Sequence, residues 1–308
     1  NELLEMFGHE APQVRRRAVW TLRERKGSFL GKIERMILKG TDLEQKSAIG
    51  FFGWKCPTDW ALPRIKTIGK VLRDSSENVE VRAAAAASLV WYKPQGQAYY
   101  NDMLRLLLED KPGDSFGLIN HSIAITLERV STNPFGDGLV TDKDLFYKVT
   151  HQLSRHPRLG ARGASLQMLK HMPVEDFPRV ADDVKRTFIN GDPSSHSYSS
   201  SGVTLRPGGE LLARLGIKEG PEWAVEVLDA GDGKGSFKAN GVVSVLTAYG
   251  VNAKQAIEMI KADPKLEGLL TRGRWSKAWN AVVKVAESGK GAKPMISFED
   301  AKKGKLAK

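Results

Sequence analysis

Cysteine is almost missing from this 308-residue chain: Cys56 stands alone. A single thiol closes no internal disulfide, and without a Cys-x-x-Cys pair neither a cysteine zinc site nor a haem attachment is available. Long apolar runs are also missing. No stretch approaches the ~18 residues that a membrane-spanning helix needs. Aromatic residues make up 8% and hydrophobic residues 41%, the latter ordinary for a folded chain and too high for wholesale disorder. Strand signals are scarce, and no Asn-Gly or Asp-Gly turn sits between alternating apolar runs. The chain opens on Asn1 without an initiator Met or a signal-type apolar core, and residues 1–7 read as the end of a helix with its partner missing. We therefore expect a processed product or a piece of something longer.

Charge is present in excess, at +11. It is uneven: 17 basic residues against 11 acidic over 1–100, 12 against 13 over 101–200, and 18 against 12 over 201–308. Residues 13–39 and 272–308 carry most of it. A continuous groove for a polyanion would show basic residues in every segment; here the centre is neutral.

Helical periodicity is the dominant pattern. Val14, Ala18, Val19 and Leu22 share one face, and Leu30, Ile33 and Ile37 form the next stripe after a break at Gly27. Similar pairs follow through Ile65, Ile68 and Leu72, Val79 to Trp91, Leu118 to Val130, and Phe177 to Phe188. In the last third the repeat is explicit. Leu211-Leu212-Ala213-Arg214-Leu215-Gly216-Ile217 matches Val245-Leu246-Thr247-Ala248-Tyr249-Gly250-Val251 at an offset of 34. One late apolar residue per pair (Leu22, Phe52, Leu89, Leu127, Leu169, Leu215, Tyr249, Val285) recurs every 30 to 46 residues. A helix pair is too thin to bury its own apolar face, so neighbours must stack into one core.

Val14-Arg15 followed by Ala18 and Leu22, and Val81-Arg82 followed by Ala85 and Leu89, resemble the second helix of HEAT repeats. Ala48-Ile49-Gly50-Phe51-Phe52-Gly53 and Leu212-Ala213-Arg214-Leu215-Gly216 resemble small-residue helix endings of that family. The resemblance implies an all-α fold, a right-handed superhelix of the HEAT/armadillo-like solenoid kind with about seven or eight helical pairs. Residues 1–290 would be the repeat domain and 291–308 a Gly/Lys-rich tail. Members act mostly as interaction scaffolds.

No chemistry-bearing motif survives inspection. Gly231-Asp232-Gly233-Lys234-Gly235-Ser236 lacks the Walker spacing, since Gly235 separates Lys234 from Ser236, and it misses the calcium-loop spacing too. The six histidines show no three- or four-residue spacing for a metal pair. The Ser-rich stretch 193–201 holds no Gly-x-Ser-x-Gly elbow and reads as a long inter-repeat loop. Cys56 has no base beside it. No cofactor or metal is expected. The most suggestive set is basic and aromatic: Arg272, Arg274, Trp275 and Trp279, with the two indoles four residues apart, and the ridge Arg15, Arg16 and Arg17 near the other end. These are the candidate binding residues.

The expected function is a non-enzymatic scaffold holding a protein partner, acidic given the charge, or another domain of its own polypeptide. Two alternatives stand beside it: a nucleic-acid-binding HEAT-like repeat protein, similar to the HEAT-like DNA glycosylases, and the structural domain of a larger enzyme or envelope protein. The compartment is left between cytoplasm and periplasm.

Overall fold

The computed structural model describes residues 2–25, 29–92, 94–109, 127, 131, 133–189, 200–229, 236–272 and 275–305. The expected helix over 118–130 lies outside this set apart from Leu127, as does most of the Ser-rich stretch, Gly231 to Gly235, and the end of the tail. Among the described residues the protein is helical. An isolated parallel bridge joins Ile217 and Ile296.

The chain divides into two compact units, Asn1–Val149 and Thr150–Lys308. The first holds α1 (Pro12–Arg23), α2 (Leu30–Lys39), α3 (Asp42–Phe51), α4 (Ile65–Arg73), α5 (Val79–Leu89) and α6 (Tyr100–Leu108), and α7 (Lys143–Ser154) crosses the boundary. The second holds α8 (Leu159–Leu169), α9 (Ala181–Ile189), α10 (Ser200–Leu215), α11 (Gly220–Asp229), α12 (Ser236–Tyr249), α13 (Lys254–Ala262), α14 (Pro264–Thr271) and α15 (Ser276–Glu287).

The helices begin where local chemistry starts them. At α3 the Thr41 hydroxyl accepts from Glu44 N–H while the Glu44 carboxylate accepts from Thr41 N–H at 2.8 Å, a capping box that satisfies two otherwise orphaned donors. Asn78 caps α5 by accepting from Glu80 N–H at 2.8 Å, and Asp263 caps α14 ahead of Pro264. The endings are as specific. Gly216 and Gly250, matched in the sequence repeat, both take positive φ, 71° and 56°, the left-handed position that closes a helix and that glycine adopts without a Cβ penalty.

Within each unit alternate helices line up in two rows. In the first, α1, α3 and α5 pack side by side, as do α2, α4 and α6. In the second, α8, α10 and α12 form one row and α9, α11 and α13 the other. Between the rows lie the apolar faces read from the sequence. Ile33 and Ile37 of α2, Ile65, Ile68 and Leu72 of α4, and Val184 and Phe188 of α9 are all buried. Neighbours within a row come close enough to need small residues. A Cβ added at Gly209 of α10 would lie 2.6 Å from a Val245 methyl of α12.

Residues 295–302 pack against the rest of the second unit and include a short helix, Phe298–Lys302, with Phe298 3% exposed. The helix α14 was absent from the periodicity reading, because its eight residues bury only Leu266 and Leu270.

Candidate functional site

The C-terminal ends of α1, α3 and α5 share one edge of the first unit. Each brings an indole there: Trp20 from the last turns of α1, Trp54 just past α3, and Trp91 just past α5. Trp20 and Trp54 meet edge to face with centroids 5.7 Å apart, and Trp54 and Trp91 lie 6.3 Å apart. Trp54 is 48% and Trp91 39% exposed, so the row presents large apolar surface to solvent.

Cations are interleaved with the indoles. Lys55 holds its ammonium 4.5 Å from the Trp54 ring centre and 5.5 Å from that of Trp20. It does so from a positive φ of 65°, a strained conformation for a side chain with a Cβ. Arg23 lies against Trp20 and Phe51, but its guanidinium is committed elsewhere. It donates to the carbonyls of Gly50, Phe51 and Trp54 at 2.5 to 2.8 Å. These carbonyls end α3, so Arg23 caps a neighbouring helix and meets the negative end of its dipole. Burial lowers the pKa of Arg23 from its usual value.

Two adjoining grooves flank Trp20. One, of about 410 Å³, is lined by Arg15, Arg16, Trp20, Arg23, Lys46 and Trp54 among others; the second, of about 560 Å³, by Arg16, Arg17, Trp20 and Glu24. Lys46 is paired with Glu80. Arg15 donates to the carbonyls of His9 and Glu10 at 2.6 and 2.7 Å, which makes it half structural. Arg16 and Arg17 are exposed, and among the described residues no carboxylate lies within ion-pair reach of either.

The candidate ridge Arg15–Arg17 thus falls on this site. The second candidate set belongs to the other unit and comes apart. Arg272 is exposed and Trp275 half-buried, whereas Trp279 is 2% exposed. Trp279 shares its helix face with buried Val282 and Ala286, so it is core and closed to a partner. Arg274 lies outside the described residues. The basic tail is also partly neutralised, with Lys302 paired to Asp182 and Lys305 to Asp300.

Trp20, Trp91, Lys55 and Lys46 were missed. A signal existed, because Trp20, Trp54 and Trp91 recur at the repeat period, 34 and 37 residues apart. Of the two tryptophans that follow α3, Trp60 packs flat on Phe51 at 6.2 Å while Trp54 joins the exposed row.

Two other groups bear on catalysis. Burial pushes the Cys56 thiol up to about 11, even with the Arg23 guanidinium and Tyr92 hydroxyl nearby, so it is held as an unreactive thiol. His151, read from sequence as isolated, meets Asp183 at 2.8 Å, but the same carboxylate accepts from Arg155 and Arg186. With two guanidiniums bound, buried Asp183 is an ion-pair hub joining α7 to α9. Among the described residues no cluster of three metal-ligating side chains occurs, and no helix is long and apolar enough to cross a membrane. No protein-family model matches the chain, and no curated protein matches it in sequence.

Proposed function

We propose that the chain is a HEAT-like α-solenoid of about seven or eight helical pairs, a non-enzymatic scaffold that captures an acidic protein segment on the Trp20–Trp54–Trp91 edge. The two-row helix packing and the repeat-matched helix endings support the solenoid reading. One observation carries the binding reading: exposed indoles beside Arg16, Arg17 and Lys55, cations that have no acidic partner among the described residues. Buried aromatic anchors with arginine supply most of the affinity in protein interfaces.

The placement of Lys55 favours protein over nucleic acid. Base stacking needs an open indole face, yet the Lys55 ammonium lies over Trp54 and Trp20 edges into it. A carboxylate pairing with Lys55, Arg16 or Arg17 leaves that arrangement intact, and the apolar part of its chain covers the exposed indole surface.

The test is a fluorescence-anisotropy titration of the full chain with a labelled peptide of alternating Glu and Leu, beside a labelled oligo-dT. We expect the peptide to bind and the Arg16→Glu/Arg17→Glu and Trp54→Ala variants to lose about tenfold or more in affinity, the size of one interface anchor. Unchanged binding by both variants, or tighter binding of oligo-dT, would overturn the reading.

A further inference from the structure

The segment Lys293–Lys305 is held against the second unit the way a groove holds a peptide. The Asn252 amide takes both main-chain groups of Lys293: its nitrogen donates to the carbonyl at 2.8 Å and its oxygen accepts from the N–H at 3.0 Å. Ile296 donates to Gly216 O at 2.8 Å and accepts from Lys218 N–H at 2.9 Å. Phe298 N–H donates to the Glu219 carboxylate at 2.9 Å. These contacts read backbone and are indifferent to sequence.

Two contacts read side chains. The Phe298 ring enters an aromatic pocket edge to face, 5.9 Å from Phe177 and 5.3 Å from Trp223, with the Lys185 ammonium 5.1 Å from both Trp223 and Phe298. Four residues on, Lys302 pairs with Asp182 at 2.7 Å. Between them the segment folds itself: Ser297 caps the short helix by accepting from Asp300 N–H, and Gly304 closes it at a φ of 81°.

The tether matters as much as the grip. Residues 288–292, which join α15 to the segment, are exposed throughout, and Gly289 and Gly291 take positive φ. Phe298 and the small Ala301 are the segment's two buried apolar residues, and Met295 and Ile296 are only half-buried. Elements with so few buried contacts open well below the global unfolding free energy, and a short tether keeps them bound through effective concentration rather than intrinsic affinity.

We infer that this groove is a peptide-docking site which the chain fills in cis with its own C-terminal strap. A partner segment of the same pattern takes it in trans: an extended apolar residue, a capping Ser, Phe, and Lys four residues after the Phe. The site is separate from the Trp20 edge and stands without it.

A fluorescein-labelled peptide of residues 291–305 is titrated with the full-length chain. Wild-type protein binds it weakly, because its own strap competes. Phe298→Ala in the chain loosens that strap and raises peptide affinity about tenfold or more, since apparent affinity scales with the open fraction. Adding Trp223→Ala removes the gain, and a peptide carrying Phe298→Ala does not bind. A Phe298→Ala chain of wild-type helical content that binds no tighter than wild type overturns the proposal. Should that variant fail to fold, hydrogen exchange on the wild-type chain decides. The Ile296 and Phe298 amides must exchange well ahead of α10 and α12, and equal protection overturns the proposal. Dimerisation by exchange of straps between two copies also overturns the assignment to a partner.

Discussion

At the scale of single residues, what decides a role here is where a side chain points. Trp275 and Trp279 look equivalent in sequence, four apart on one helix, yet only one keeps exposure. The spacing of Trp279 to Val282 and Ala286, three and seven residues, was the legible sign that it faces the core. Cys56 shows the same dominance of surroundings. At 8% exposure, burial raises its pKa from 9.0 to about 11. At pH 9 this leaves about 1% thiolate against half for an ordinary thiol, so alkylation by iodoacetamide should run about 50-fold slower than in the urea-unfolded chain. The linkage has a definite sign. Between about pH 9 and 11 the unfolded chain loses this proton while the folded chain retains it, so the contribution of Cys56 to stability declines as pH rises through that window. Thermal midpoints of wild type and Cys56→Ala should therefore converge or cross with rising pH in that range. A fast-alkylating native thiol would refute its burial.

At the scale of elements, arginines fasten neighbouring helices by their ends. Arg23 on α1 caps α3, and Arg214 on α10 caps the end of α8 through Lys170 O at 2.9 Å and Met172 O at 2.8 Å. Each sits near the end of a helix in one row and reaches an adjacent helix of that row, Arg23 the following one and Arg214 the preceding one. Leaving such carbonyls unpaired costs about 1–3 kcal/mol. Arg23→Ala and Arg214→Ala should each lower the urea midpoint accordingly, and Lys at either position should not restore it, because an ammonium lacks the planar fork. An unmoved midpoint would mean that water replaces the guanidinium without loss. Sequence pattern located most helices, since amphipathic stripes and the repeat over 211–217 and 245–251 survive in the packing. The caps across helices were not legible, because Arg-to-carbonyl contacts 28 or 44 residues apart leave no local period. The short helix of the strap was legible only locally, in Ser297 and Asp300 at its start and Gly304 at its end, within a stretch rich in Gly and Lys.

At the scale of the whole chain, the +11 charge sharpens into an argument about which cations remain available. The C-terminal excess is partly spent, with Lys302 on Asp182, Lys305 on Asp300 and Lys261 on Glu287. In the first unit Lys46, Arg64 and Arg73 are likewise paired, but Arg16, Arg17 and Lys55 face the indole edge without a carboxylate among the described residues. Equal formal charge at the two ends therefore does not mean equal attraction for an acidic partner. Exposed charges are screened over about 10 Å at 0.1 M salt, so binding of the acidic Glu/Leu peptide should weaken steadily from 50 to 200 mM NaCl. The slope of that dependence identifies the cations responsible. Arg16→Glu/Arg17→Glu should flatten it, because the removed charges no longer contribute. Arg272→Glu/Lys277→Glu changes the net charge of the chain by the same amount and should leave the slope near that of wild type. If the two double variants flatten it equally, net charge alone attracts the peptide, and the Trp20–Trp54–Trp91 edge has no privileged part in its capture.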